Sequence, residues 1–152
     1  MIHVLKKADF IPPVPVQLIH DLSQIESRDN VFAYPSYRDH YASYVAQKNL
    51  EEWAQRYFDH RVITRYQVVR RDLPIHVDVG IVGRKFNYLT TLGGDNVKTR
   101  WWDSVDPPGN MIYEKTWTSE DLNVWWDMSI ETAHQVLNLQ EPRISITVRP
   151  SE

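Results

Sequence analysis

Cysteine does not occur in this chain of 152 residues, which excludes disulfides, thiolate metal sites and cysteine nucleophiles. An excess of one charge is lacking too. Seventeen Lys and Arg stand against 20 Asp and Glu, for a net charge of −3 and a pI near 6.1. That balance carries no electrostatic signature of nucleic-acid or anionic-membrane binding. No apolar run approaches the roughly 20 residues of a membrane span. Met1 to Pro15 also lacks the apolar stretch and small-residue cleavage site of a secretory leader. The expectation is a cytoplasmic protein with no membrane association. Repeats, linkers and low-complexity tracts are missing as well, so residues 1–152 read as a single domain.

What is present falls into two textures. Residues 1–60 read as an irregular arm followed by supporting helices. Ile11-Pro12-Pro13-Val14-Pro15 cannot be helical and suits an extended, packed segment. A short helical turn is expected around Leu18 to Ile25. Ser36 is placed to cap a helix starting near Tyr37, with Tyr41, Tyr44 and Val45 along one side. Leu50, Trp53, Ala54, Tyr57 and Phe58 then follow the spacing of a buried helical stripe. After His60 the chain turns to short β-branched and aromatic runs separated by turn residues. Eight strands are expected: Val62 to Arg70, Ile75 to Val79, Arg84 to Leu92, Lys98 to Asp103, Met111 to Trp117, Leu122 to Asp127, Ala133 to Asn138 and Arg143 to Arg149. Gly93-Gly94-Asp95-Asn96 and Asp106-Pro107-Pro108-Gly109 are the clearest turns between them. Residues 61–152 therefore predict an antiparallel sandwich or barrel with helices outside it.

The chemistry gathers around Leu73-Pro74-Ile75-His76-Val77-Asp78-Val79. At period two, Ile75, Val77 and Val79 share one face, read as the core face, while His76 and Asp78 project together from the other. Alone, this pair reads more readily as a solvated strand face with an ordinary His–Asp hydrogen bond. An ion held by two imidazoles and one carboxylate, with positions left open, needs a third group from a distant strand. His134, sharing a face with Val136, is the candidate. Farther on, Arg143-Ile144-Ser145-Ile146-Thr147-Val148-Arg149 alternates cleanly. Its polar face, Arg143, Ser145 and Thr147, is either the wet side of an amphipathic strand or a fork for a carboxylate with a hydroxyl beside it. In Trp101-Trp102 and Trp125-Trp126 one ring of each pair is expected in the core. The other ring, with exposed Tyr, would line a cleft or a homodimer face.

Taken together, His76-Val77-Asp78, His134 after fifty-five intervening residues (79–133), and Arg143-x-Ser145 resemble the Fe(II)/2-oxoglutarate-dependent oxygenase superfamily. The resemblance covers about residues 62–149. It implies a double-stranded β-helix (a jelly-roll, cupin-like barrel) of about eight antiparallel strands, mainly β, with an N-terminal helical region. It implies Fe(II) on His76, Asp78 and His134, and 2-oxoglutarate as cosubstrate with its far carboxylate on Arg143 and Ser145. Asn87, Tyr88 and Tyr66 would line the pocket. Molecular oxygen and an unidentified substrate complete the reaction, a hydroxylation that releases succinate and carbon dioxide. The alternative is a non-catalytic binding or structural protein on the same barrel, with a vestigial or different metal site. A cupin-type enzyme that uses no 2-oxoglutarate would leave Arg143 unexplained.

Overall fold

The computed structural model describes residues 4–31, 40–78, 83–106 and 109–151. In chain order the strands are β1 (Leu5–Lys7), β2 (Asn30–Val31), β3 (Tyr41–Val45), β4 (Val62–Val69), β5 (Leu73–His76), β6 (Arg84–Thr91), β7 (Lys98–Trp102), β8 (Met111–Thr116), β9 (Trp125–Ser129), β10 (Ala133–Leu137) and β11 (Arg143–Pro150). Helix α1 (Leu22–Glu26) lies before β2 and helix α2 (Lys48–Gln55) before β4.

The strands form an antiparallel sheet of seven, ordered β1-β9-β6-β11-β4-β3-β2, and one of four, ordered β5-β10-β7-β8. From β4 onward the chain crosses from one sheet to the other at every connection except the β7–β8 hairpin. The last eight strands thus sort as β9-β6-β11-β4 facing β5-β10-β7-β8, which is the double-stranded β-helix. All eight strands expected after His60 are present, and β1 to β3 widen the larger sheet.

The clean alternation of β11 sets the centre. It pairs with β4 on one side and β6 on the other, so neither edge of it is free. Its Ile144, Ile146 and Val148 join Tyr66, Tyr88, Trp125, Leu50 and Trp53 in an outer core, where the large sheet packs under α2 and the N-terminal arm. A second core lies between the sheets, built from Val69, Leu73, Leu89, Val97, Trp101, Trp117, Trp126, Met128 and Val136. The large sheet is therefore buried on both faces. Ile146, fully buried beneath α2, should cost about 2–5 kcal/mol on replacement by Ala, read from urea unfolding.

Three expectations are corrected. Tyr41–Val45 is a strand, paired with β4 from Tyr41↔Val69 to Val45↔Arg65. Its Ala42 and Tyr44 are buried while Tyr41, Ser43 and Val45 are half-buried, a period of two that Tyr41, Tyr44 and Val45 alone do not reveal. The proposed start at Ser36 and Tyr37 lies outside the described residues. The strand expected from Leu122 begins instead at Trp125, because a 3-10 turn at Ser119–Asp121 and the positive φ of Asn123 (59°) occupy the preceding positions. The Asp121 side chain closes that turn by accepting from the Thr118 N–H. Finally, both Trp125 and Trp126 are buried, one in each core, since both sheet faces are covered there. Only the Trp101-Trp102 pair splits into a buried and a half-buried ring.

Candidate metal centre

His76 and His134 meet because β5 and β10 are antiparallel neighbours and these two residues stand directly opposite each other. Their ring centroids are 4.4 Å apart. A step of two residues on β10, from His134 to Val136, spans a step of three on β5, from His76 back to Leu73, so β5 carries a bulge at this point. Pro74, which has no N–H to give a ladder, sits within it. The bulge turns both Leu73 and His76 inward. It also corrects the expected core face of this stretch. Val77 is 37% exposed and Ile75 half-buried, while the His76 and Asp78 side chains point between the sheets. β5 is an edge strand of the smaller sheet, and the interior side of that strand carries the chemistry. Val79 lies outside the described residues.

Asp78 Oδ1 is 3.5 Å from His76 Nε2 and 3.6 Å from His134 Nε2, and one ligand atom from each of the three residues lies within 4.8 Å of the others. Ligands about 2.0–2.2 Å from one ion stand about 3–3.5 Å apart, so the spacing fits a single small cation. The outer ring nitrogens settle the tautomers. His76 Nδ1 contacts the Pro74 carbonyl at 2.7 Å and His134 Nδ1 the Thr132 carbonyl at 2.8 Å. A carbonyl can only accept, so each Nδ1 carries a proton and each Nε2 is left facing Asp78, placed to give its lone pair to a bound cation. Two such nitrogens and a carboxylate oxygen converging on one point suit a cation. Two imidazoles and one carboxylate on one side of the ion are the donor set of a non-haem Fe(II) centre.

Lys85 completes the electrostatics, and sequence reading missed it. Its Nζ lies 3.7 Å from Asp78 Oδ2. Burial alone would raise the Asp78 carboxyl; Lys85 and the two imidazoles outweigh it and hold the group far below the ordinary carboxylate range. The available signal was spacing, since Lys85 stands two residues before Asn87 and shares its inward face. A depressed folded-state pKa contributes stability that is full above the unfolded value, about 3.9, and lost as pH falls below it. Lys85→Met should therefore destabilise the metal-free protein by about 2 kcal/mol or more at neutral pH. The deficit should shrink in acid, as thermal melts across the two ranges would show.

Arg143 and Ser145 line the same cavity as the triad, together with Asn87. The structure thus places the polar face of β11 inside the barrel, so it is not a wet face. The cavity is about 50 Å³. Arg143 is 6% exposed, with its guanidinium carbon 4.7 Å from the centre of the Trp117 ring. Burial pulls its pKa down to about 9, and Asp121 acts in the other direction. The guanidinium therefore stays charged at neutral pH. Its Nη1 and the Asn87 amide oxygen are buried and have no protein hydrogen-bond partner. Gly93 shapes this corner. Its φ is +90°, and a Cβ there would come within 2.9 Å of Arg143 Cβ and 2.6 Å of Leu139 Cδ1. Gly93→Ala should cost about 1–3 kcal/mol in urea unfolding, through strain and displacement of the start of β11.

Tyr66 and Tyr88 are corrected. Both belong to the outer core, on the far side of the large sheet from the cavity. Tyr66 Oη donates to Gln47 Oε1 at 2.9 Å, and Tyr88 Oη accepts from the Val14 N–H at 3.2 Å, so both tie down the N-terminal arm and α2. Tyr88 neighbours Asn87 on one strand, and adjacent residues face opposite ways.

No protein-family model matches this sequence, and no curated protein sequence does. Among solved structures the chain is similar to Fe(II)-HppE with the alternative substrate (S)-1-HPP, at 12% identity and a TM-score of 0.49, covering 82% of this chain and 57% of that one. It is also similar to the S161A mutant of the Bacillus subtilis oxalate decarboxylase OxdC, at 8% identity and a TM-score of 0.45, covering 84% of this chain and 29% of that one. The chain thus spans little more than half of the first and under a third of the second. At these values the strand order, and not the overlap, defines the fold.

Proposed function

We propose that this protein is a metal-dependent enzyme and, more finely, an Fe(II)- and 2-oxoglutarate-dependent oxygenase that hydroxylates an unidentified substrate. One observation carries the reading. A charged, buried guanidinium with an unpartnered N–H shares a small cavity with three converging metal donors. His76, Asp78 and His134 would hold the ion, and Arg143, with Ser145 beside it, would take the far carboxylate of the cosubstrate. The bound iron would supply activation of molecular oxygen, coupled to decarboxylation of 2-oxoglutarate to succinate and carbon dioxide. The chain's own contribution is positional. The β5 bulge and two carbonyl-anchored imidazoles fix the donors, Lys85 keeps the carboxylate ionised, and Trp101, Trp117 and Met128 keep bulk water from the space between the sheets. A vestigial site on a binding protein explains neither the complete donor set nor the unpaired cation.

The test is anaerobic titration with Fe(II) and then 2-oxoglutarate. Stoichiometric iron binding and a weak visible band that grows only with both components are expected. Iron binding with no response to millimolar 2-oxoglutarate would leave a metal centre of another class.

A further inference from the structure

Next to the strand ends that carry the metal donors lies a second, larger hollow. Val77 stands between the two donors on the β5 side, and Thr132 and Ala133 lead into His134. These residues line a groove of about 360 Å³ together with Trp102, Val105, Ile112, Asp103 and Glu131. Part of its wall is apolar, and three of those residues are exposed: Val77 at 37%, Val105 at 39% and Ile112 at 51%. Among the described residues the only charged groups lining it are the carboxylates of Asp103, which also accepts from the Asn110 N–H, and Glu131. Beside the groove runs β8, an edge strand of the smaller sheet, whose Met111, Ile112 and Tyr113 are all exposed. Three consecutive exposed apolar residues are unusual on a strand edge that pairs with nothing further among the described residues.

We infer that this groove takes a polypeptide substrate in extended form, seating a lysine or arginine side chain with its stem along Val77, Trp102 and Ile112 and its cation toward Asp103 and Glu131. The long stems of these two residues suit an apolar channel, and their heads suit a carboxylate rim. An anionic or purely apolar group would leave that rim unmatched. The β8 edge supplies main-chain hydrogen bonds to an added strand. As a substrate site the groove rests on the proposed function above; as a binding site it does not need it.

The experiment therefore uses the metal-free full chain. Fluorescence anisotropy follows dye-labelled, blocked nonapeptides that are identical except for Lys, Arg, norleucine or Glu at the central position. The Lys and Arg peptides should bind about three- to tenfold more tightly than the norleucine peptide, the Glu peptide more weakly still, with the preference fading at high salt. Glu131→Gln, an exposed change with no partner to lose in the fold, should remove most of the preference for Lys over norleucine. Ile112→Asp should weaken all four peptides. Equal binding of the Lys, norleucine and Glu peptides overturns the inference. So does sedimentation showing a dimer that Ile112→Asp dissociates, because a second copy would then be the occupant. Peptide binding without iron or 2-oxoglutarate binding would sink the oxygenase reading and leave this one standing.

Discussion

Asp78→Ala should lower Fe(II) affinity by at least tenfold and abolish turnover, the largest effect of any single change in this chain. The carboxylate is the triad's one anionic ligand and lies 3.5 and 3.6 Å from the two Nε2 atoms. Removing it leaves two neutral imidazoles to hold a dication, with Lys85 nearby as an uncompensated positive charge. That residual ammonium makes alanine worse than mere loss of a ligand, because it repels the incoming metal. The double change Asp78→Ala with Lys85→Met should therefore recover part of the lost affinity. His76→Ala and His134→Ala should resemble Asp78→Ala in turnover, and pairs of the three should cost little more than one, since the donors act as a unit. Equilibrium dialysis against Fe(II) under anaerobic conditions measures all of these. Parent-like binding by all three single variants would place the metal elsewhere.

The sequence made the donors legible and hid the surface on which they sit. His76, Asp78 and His134 were found by residue type and by the strand that each belongs to, and the structure brings all three together. Periodicity alone puts an apolar core face opposite His76. The structure differs because β5 is an exposed edge with a bulge, and periodicity cannot register an extra residue in a strand. The same limit applies to β11. Its alternation was plain, yet alternation usually marks a strand wet on one side, and here Arg143 and Ser145 are as buried as Ile144. Only the second sheet, closing over them, distinguishes the two cases, and strand spacing alone does not say what lies opposite. Tyr66 and Tyr88 failed for a related reason. Aromatic residues near a site in sequence carry no mark of which sheet face they take, and the outer face here is as apolar and as buried as the inner. Tyr41–Val45 shows the local form of the ambiguity, since five residues with aromatics at i and i+3 satisfy helix and strand alike.

Arg143→Ala should cost about 2–5 kcal/mol of 2-oxoglutarate binding, roughly thirtyfold to more than a thousandfold in Kd, while Fe(II) affinity stays near that of the parent. The separation follows from position. Arg143 opens β11 on the large sheet, opposite the β5–β10 pair that carries the two histidines, and it is not among the three donors. A dicarboxylate entering a cavity of this size must leave water, and a buried carboxylate with no cation facing it is costly. Arg143 answers that cost twice, with a full charge held between the Trp117 ring and the Asp121 field and with an N–H that has no protein partner. Lys in its place would keep the charge but lose the planar fork and the guanidinium contact over the Trp117 ring, so Arg143→Lys should fall between parent and Ala. Folding is a separate matter. Removing the guanidinium also relieves its desolvation, and Arg143→Met, which fills much of the same volume, should retain a near-parent melting temperature. Affinity is read from the visible band of the iron-loaded protein on titration with 2-oxoglutarate, and slow substrate-free succinate formation gives a second measure. Should Arg143→Met remain folded, bind iron and take up 2-oxoglutarate as the parent does, the guanidinium serves some other anion and the cosubstrate assignment falls with it.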